Sequence, residues 1–271
     1  MWSFTADPEE FAGVAERFLL GDPVGNNVLL TVLAQLRAGM PAKDASFGWW
    51  RPGGEVHGEV CGAVLRTPPR PLELAHMPVS AIEPLVAALD GELPQVLGPA
   101  ELTAEFTRLA GRPWQAMSER LYRLGTLVTP DVPGHGRPAR SGEFSLLVSW
   151  WHGFAADAGV SEGDDLAERV LRRLQNGELF VWEHDGLPVS VAALHPAAAG
   201  VCRIGPVYTP RSCRRRGFGA AVTAYASQVG LAERCEQVVL FADLANPTSN
   251  RIYQSIGFAA VSDYAHVTFT G

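Results

Sequence analysis

Apolar residues along the second half of the chain follow two different periods. Spacings of three and four residues predict amphipathic helices, whereas short apolar runs between turn residues predict strands. The helices are predicted at 144–158, 166–175, 217–232 and 247–256. The strands are predicted at 179–184, 187–195, 201–208, 237–242 and 258–269. Asp185 and Gly186 predict a tight hairpin turn between the first two strands, because such a turn needs two residues that adopt φ > 0.

The first half shows a similar order of elements with weaker signals. Helices are predicted at 22–38, 80–90 and 100–110, and strands at 46–51, 59–66, 72–76, 94–97 and 115–127. The segment 129–142 is rich in proline and glycine and keeps no apolar period, which is typical of a linker. We therefore expect one domain at 1–128, a linker at 129–142 and a second domain at 143–271.

The composition is that of an ordinary globular protein, and it excludes several kinds of site. Of the 271 residues 47% are hydrophobic and 19% charged, with a net charge of -7, which argues against general nucleic-acid binding. Lys43 is the single lysine and lies in no glycine-rich loop. A Walker phosphate loop and a lysine Schiff base are therefore both disfavoured.

The cysteines and the apolar runs indicate the cellular compartment of the protein. Cys61, Cys202, Cys213 and Cys235 form no C-x-x-C pair and no metal-type spacing with the seven histidines. We therefore expect reduced thiols and no metal site. The first residues lack the pattern of a signal peptide, and no apolar run approaches the ~18 residues of a membrane span. These observations predict a soluble, cytoplasmic protein without membrane or nucleic-acid partners.

A basic loop with two glycines follows the predicted strand 201–208. Arg214, Arg215 and Arg216 precede Gly217 and Gly219, where a helix is predicted to begin. The first N–H groups of a helix have no partner inside it, and glycine lets a bulky anion approach the backbone closely. The pattern favours a pyrophosphate site, with a glycine-capped basic turn as the alternative. The third glycine of a dinucleotide fingerprint is absent, so a Rossmann fold is disfavoured.

A second informative element follows the predicted strand 237–242. Asn246 and Pro247 are typical of the first positions of a helix, and Gly257 is typical of its end. Tyr253 lies beside the apolar positions Ile252 and Ile256. From the residues alone, packing of Tyr253 with its hydroxyl at the surface is the simpler interpretation.

Together these elements resemble the GNAT superfamily of acyl-CoA-dependent N-acetyltransferases. The resemblance covers about 143–271 and rests on three features in order: the strand end at 207–210, the Arg214-x-x-Gly217-x-Gly219 loop, and the helix with Tyr253 before Gly257. It implies an α+β fold of tandem GNAT-like domains, each with a mixed, mostly antiparallel, twisted sheet flanked by helices. Only the second domain would be complete.

The resemblance also implies roles for individual residues. Val207, Tyr208 and Thr209 would bind the pantetheine arm of acetyl-CoA, with the backbone of Val207 and Thr209 pairing like an extra strand. The pyrophosphate would be held by amides of Arg214, Arg215, Arg216, Gly217, Phe218, Gly219 and Ala220. Asn246 or Asn250 would contact the pantetheine or the thioester.

The proton transfers complete the implied chemistry. Tyr253 would protonate the departing thiolate, because aminolysis of a thioester releases a thiolate that needs a proton. Many relatives place a carboxylate on the strand before the loop, where this chain has Gly205 and Pro206. Glu183 is our candidate base, with His184 and Asp243 as alternatives, although each is explained as well by an ordinary solvated or hydrogen-bonded side chain.

The first half lacks the loop. Residues 77–82 follow the predicted strand 72–76 with neither a glycine pair nor an arginine. We interpret this half as a degenerate GNAT-like domain that shapes the acceptor pocket or adds stability, with an unrelated domain as the alternative. The pairs Trp49-Trp50 and Trp150-Trp151 are expected in the cores, or at an interface or pocket.

These observations predict an N-acetyltransferase that transfers an acetyl group from acetyl-CoA to a primary amine without a metal. The alternative is an acyl-CoA-binding sensor or regulatory module without turnover. A homodimer is compatible with the sequence.

Overall fold

The computed structural model describes residues 1–41, 43–54, 58–89, 91, 93–159 and 165–270. Backbone contacts divide the chain into two compact units. Unit 1 comprises Met1–Leu121, Ala242–Ala245 and Ala260–Gly271, and unit 2 comprises Tyr122–Phe241 and Asn246–Ala259. The contact-based division thus falls at other positions than the expected domain boundaries, which stay a prediction.

Unit 1 contains the first group of strands and helices. Its elements are β1 (Trp2–Thr5), α1 (Pro8–Leu19), α2 (Asn27–Arg37), β2 (Ser46–Trp50), β3 (Gly62–Arg66), β4 (Leu72–Leu74), α3 (Ile82–Ala88), β5 (Gln95–Pro99), α4 (Ala100–Ala110) and the first part of β6 (Trp114–Leu124). Strands β1 to β4 pair antiparallel in sequence order, and β4 pairs parallel with β5.

Unit 2 contains the second group of strands and helices. Its elements are β7 (His135–Pro138), α5 (Phe144–Ala158), α6 (Leu166–Gln175), β8 (Leu179–His184), β9 (Leu187–Leu194), β10 (Val201–Tyr208), α7 (Phe218–Glu233), β11 (Gln237–Asp243), α8 (Pro247–Ser255) and the start of β12 (Phe258–Phe269). Strands β7 to β10 pair antiparallel in sequence order, and β10 pairs parallel with β11. The remainder of β12 lies in unit 1, where residues 264–268 pair antiparallel with β5.

Both units therefore repeat one order of elements, a strand, two helices, three strands, a helix, a strand, a helix and a strand. This repetition confirms the predicted α+β fold with mixed, mostly antiparallel sheets flanked by helices. The hairpin between β8 and β9 turns through Asp185 at φ 51° and Gly186 at φ 75°, which confirms the turn predicted there.

Some elements differ from the sequence prediction. Strand β1 and helix α1 were not predicted, although Asp7 caps α1 by accepting a hydrogen bond from the Glu9 amide at 2.9 Å. Helix α2 begins at Asn27, five residues later than predicted. Its N-terminal region forms turns in which the Asn26 side chain donates to the Leu19 carbonyl at 3.1 Å.

The segment expected as a linker also contains structure. Strand β7 lies within 129–142 and pairs with β8. Arg137 on this strand is almost buried and forms ion pairs with Glu183 at 2.6 Å and Glu143 at 2.5 Å. These contacts fix an edge strand whose own residues carry no apolar pattern, which is why the composition indicated a loop.

The tryptophan pairs belong to the hydrophobic cores. Trp49 and Trp50 are buried in unit 1, and Trp150 and Trp151 pack in the core of unit 2. The four cysteines are free. Within the described ranges, no helix has the length and apolarity needed to cross a membrane.

The ion pairs of Arg137 make a prediction about stability. We expect Arg137→Gln to lower the free energy of unfolding by about 3 kcal/mol, because it leaves two half-buried carboxylates without their cation. Arg140→Gln is the control: the Arg140 side chain is 67% exposed and lies 3.8 Å from Glu183, so its loss should cost less than about 1 kcal/mol. Thermal unfolding measures both, and equal costs would contradict the assignment.

The same contacts set a pH dependence. Hydrogen bonding by Arg137 lowers the pKa of Glu183; burial tends to raise the pKa of Glu143, but Arg137 and the Arg140 amide lower it overall. A lowered carboxylate pKa gives stability that is complete above the ordinary carboxylate pKa and is lost as pH falls through the lowered values. The Arg137→Gln difference should therefore shrink in acid.

Candidate functional site

Strand β10 separates from β11 halfway along its length. The two strands pair in parallel only through Val201 to Ile204 on β10. Between Ile204 and Val207 the pairing with β9 shifts register, which is the mark of a β-bulge. Gly205 in the bulge has φ 150°, a conformation that favours glycine.

The main chain beyond the bulge presents hydrogen-bonding groups away from β9. The Tyr208 carbonyl accepts a hydrogen bond at 3.0 Å from Ser190 on β9. Because successive residues of a strand point their main-chain groups to opposite sides, Val207 and Thr209 point to the side where β11 has separated. The Thr209 carbonyl there accepts a hydrogen bond from Arg214 Nε at 2.9 Å, and the pairing described for β11 includes no residue beyond Ile204. Val207 thus lies beyond the described pairing with β11, and its contact with a pantetheine arm stays a prediction.

The loop between β10 and α7 alternates the sign of its φ angles. Arg214 has φ -70°, Arg215 φ 62° and Gly217 φ 81°. Such alternation turns successive N–H groups toward one concave side and forms a nest for anions. Gly217 also occupies the cap position of α7, so the nest continues into the first turn of that helix.

The backbone N–H groups of residues 215–220 form what we name the amide cradle. The first N–H bonded within the helix is that of Ala221, which donates to the Gly217 carbonyl at 3.0 Å. In the described part of the chain, no protein acceptor receives a hydrogen bond from the N–H groups of 215–220. The cradle therefore offers several donors at the positive end of a helix to an anion.

Side chains from α5 hold the loop in this shape. Asp157 accepts hydrogen bonds from Arg211 at 3.0 Å and from Arg214. The two guanidinium groups, Arg214 first, lower the pKa of Asp157. Arg214 also lies over the Tyr208 ring, with its guanidinium carbon 5.7 Å from the ring centre. The Arg214 side chain thus holds the loop against α5 and Tyr208.

The other two arginines of the loop are exposed. Arg216 Nη2 lies 2.9 Å from His184 Nε2, and its guanidinium carbon lies 4.7 Å from the centre of the Phe218 ring. Arg215 has no hydrogen bond or ion pair to the described residues. Its charge is therefore available to a phosphate bound in the cradle.

Helix α8 brings the two predicted asparagines together, but both have protein partners. Asn246 caps the helix by accepting from the Ser249 amide at 3.1 Å. Asn250 donates to the Asn246 carbonyl at 2.8 Å and accepts from the hydroxyl of buried Tyr122 at 2.8 Å. These contacts fix the start of α8; contact with pantetheine or thioester stays a prediction for both residues.

Tyr253 lies on the same helix, which packs against α7. The residue is half-buried, and burial raises the pKa of Tyr253 to about 12. Its ring packs edge-on against Phe258 at 6.2 Å between ring centres. None of the described residues forms a hydrogen bond with the Tyr253 hydroxyl, so a donor is left for a ligand.

The candidate bases all have other contacts. Glu183 is bound by Arg137, and that hydrogen bond lowers the pKa of its carboxyl. His184 contacts Arg216 and lies 3.1 Å from the Asp185 carboxylate. Asp243 accepts from the Ala245 amide at 2.8 Å. The geometry gives each of them a structural contact, and their role as a base stays a prediction.

Sequence reasoning missed several residues that shape this site. Asp157, Tyr122, Arg173 and His195 act through contacts with residues at least 10 positions away. No local motif distinguishes them from ordinary polar residues of a helix, strand or loop. Within the described ranges, no three His, Cys, Asp or Glu side chains cluster as a metal ion would require.

Comparison with known proteins agrees with the architecture. Residues 146–258 match the model of the Acetyltransferase (GNAT) family. A Drosophila protein of solved structure is 13% identical, with a TM-score of 0.69 over 99% of this chain and 98% of its own. A GCN5-related N-acetyltransferase from Sphaerobacter thermophilus is 15% identical, with a TM-score of 0.63 over 99% and 95%.

A GNAT-family acetyltransferase from Colwellia psychrerythraea is 12% identical, with a TM-score of 0.59 over 89% of this chain and 97% of that one. At such identities the structures show the fold, and it extends over nearly the whole chain. No curated protein gives a match. Residues 146–258 therefore match the GNAT acetyltransferase family, and the fold of the whole chain, including its first half, is similar to that of solved GNAT proteins.

Proposed function

We propose that unit 2 transfers an acetyl group from acetyl-CoA to a primary amine. The observation that carries this proposal is the amide cradle, a run of N–H groups at the start of α7 that donate to no described protein acceptor. A pyrophosphate supplies the several acceptor oxygens that such a run needs. The bulge in β10 supports the proposal, because the described pairing with β11 ends at Ile204 and leaves the main chain of Val207 available to pair with an extended pantetheine arm.

The reaction is a direct aminolysis. The amine nitrogen attacks the thioester carbonyl carbon, a tetrahedral oxyanion forms, and the carbon–sulfur bond breaks to give an amide and a thiolate. The nitrogen loses one proton and the thiolate gains one. A site for this chemistry needs donors toward the oxyanion and a proton source beside the sulfur.

Tyr253 is our proposed proton source. Its hydroxyl is fully protonated at neutral pH because its pKa is about 12. A free thiol has a lower pKa of about 8.5, so Tyr253 first stabilises the departing thiolate by a strong hydrogen bond, and transfer of the proton requires desolvation to raise the basicity of the sulfur. The absence of a hydrogen bond to it within the described structure supports this role.

A second candidate function is acyl-CoA binding without turnover, as in a sensor or regulatory module. The observation that favours it is the contact of Glu183 with Arg137, which reduces the basicity of the one carboxylate we proposed as base. Thiol release from acetyl-CoA across a panel of primary amines, with calorimetry in parallel, separates the two functions. Binding with amine-dependent release supports the transferase, and binding without release supports the sensor.

The cradle predicts the effect of Gly219→Val. An added Cβ would lie 3.3 Å from Thr209 Oγ1, a small strain, but the branched side chain would cover the amides. We expect a roughly 100-fold loss of acetyl-CoA affinity, equivalent to two hydrogen bonds to a charged group at about 1.5 kcal/mol each. Gly13→Val is the control, since this exposed glycine of α1 has no atom near its added Cβ. Unchanged affinity in a folded Gly219→Val variant would remove the cradle from the site.

Tyr253→Phe removes one hydroxyl group and tests the proton source. We expect kcat to fall by roughly 10² to 10⁴ while the affinity for acetyl-CoA changes little. Tyr225→Phe on α7 is the matched control and should retain its kcat. A rise in KM with unchanged kcat would instead assign the Tyr253 hydroxyl to binding.

A further inference from the structure

The bulge carbonyl of β10 is held from the side of α6. Gly205 is the first residue of β10 beyond the parallel pairing with β11. Its carbonyl accepts a hydrogen bond from Arg173 Nη1 on α6 at 3.2 Å, and His195 Nε2 lies 3.1 Å from the same oxygen. Two cationic or polar side chains thus converge on the peptide where β10 turns away from β11.

The two side chains also contact each other. Arg173 Nη2 lies 2.9 Å from Nε2 and 3.3 Å from Nδ1 of His195. A guanidinium can only donate and a carbonyl can only accept, so a neutral imidazole accepts from Nη2 at Nδ1 while its Nε2–H and Arg173 Nη1 both donate to the Gly205 carbonyl. His195 then orients Arg173, and both side chains hold the carbonyl.

A buried carboxylate anchors this pair in turn. Glu178 Oε2 lies 3.9 Å from Arg173 Nε, and the side chains of Glu178 and Arg173 are 9% and 18% exposed. Glu178 also accepts from Asn176 at 3.0 Å through its other oxygen. Arg173 is thus held at one end by a carboxylate and presents the other end of its planar group to His195 and Gly205.

We propose that Arg173 and His195 are positioning residues for the transfer reaction: they hold the Gly205 carbonyl and so set where the main chain of Val207 meets the thioester. This inference rests on the proposed function. Val207 lies two residues beyond Gly205, and in the described part of the chain the pairing of β10 with β11 ends at Ile204. A misplacement of about 1 Å in such a site is sufficient to cost roughly 10² in rate.

The amide cradle holds a different part of the ligand from Val207. A change at His195 therefore affects kcat and the affinity for CoA to different extents. The pyrophosphate contacts of residues 215–220 depend on Asp157 and Arg214, which do not contact His195. Loss of the contacts that Arg173 and His195 make with the Gly205 carbonyl therefore lowers kcat more than it lowers the affinity for CoA. A residue that only supported the fold would reduce both in proportion to the loss of folded protein.

The experiment compares His195→Ala with His195→Gln, since a glutamine amide is able to accept from Arg173 and to donate to Gly205. Arg172→Ala is the control, as Arg172 is the exposed neighbour on α6. We expect His195→Ala to lower kcat by ten- to hundredfold with a CoA dissociation constant within about threefold of wild type. His195→Gln should recover most of that kcat.

A further readout completes the test. Amide hydrogen exchange of the segment 203–209 without ligand should accelerate at least about tenfold in His195→Ala and stay near wild type in His195→Gln and Arg172→Ala, whether or not the protein proves to be an acetyltransferase.

Unchanged amide exchange in His195→Ala would overturn the proposed positioning role of His195, and so would an unchanged kcat. Faster amide exchange in His195→Ala together with no CoA binding by the wild-type protein would support the contact of His195 with Arg173 and Gly205, and it would contradict the proposed function instead.

Discussion

Backbone N–H groups at the start of a helix have no acceptor within the helix, and the site of this protein is built around that constraint. Helix α7 begins after a loop whose φ angles alternate in sign, so the unpaired donors extend from the helix into the loop. The loop keeps this shape because Asp157 holds Arg211 and Arg214 from the side. Buried Phe218 and Ala220 fix the first turn of the helix against the core. The donors are thereby arranged before any anion arrives, which reduces the entropy cost of binding one.

Unit 1 repeats the same order of elements but has a different connection at the corresponding position, between β4 and α3. The connection from β4 to α3 contains no residue with positive φ among those described, and several of its polar groups have partners inside the unit. The His76 amide donates to the Asn26 side chain at 2.9 Å, and the Trp2 indole donates to the Ala81 carbonyl at 2.9 Å. The hydroxyl of buried Tyr264 donates to the Gly25 carbonyl at 2.8 Å and lies 2.8 Å from His76 Nε2. The described residues of this connection thus lack the glycine pair and the positive φ angles of the loop in unit 2.

The sequence was sufficient for the features that depend on local chemistry. Helix α6 ends where Asn176 and Gly177 interrupt it, and the loop before α7 was recognisable from Gly217 and Gly219, whose backbone freedom the turn and the ligand approach require. Strand β7 was missed because its place in the sheet depends on pairing with β8 and on Arg137, not on its own composition. The contacts that already engage Glu183 and Asn250 join residues 46 and 128 positions apart, and no motif indicates them.

The central claim is that the amides of residues 215–220 bind the pyrophosphate of CoA. The most direct measurement is the change in backbone amide NMR signals of the protein as CoA is added. The account predicts large shifts for residues 215–220 and none for residues 77–81 of unit 1. Saturable binding that leaves the signals of 215–220 unchanged, or that shifts those of 77–81 instead, would contradict it.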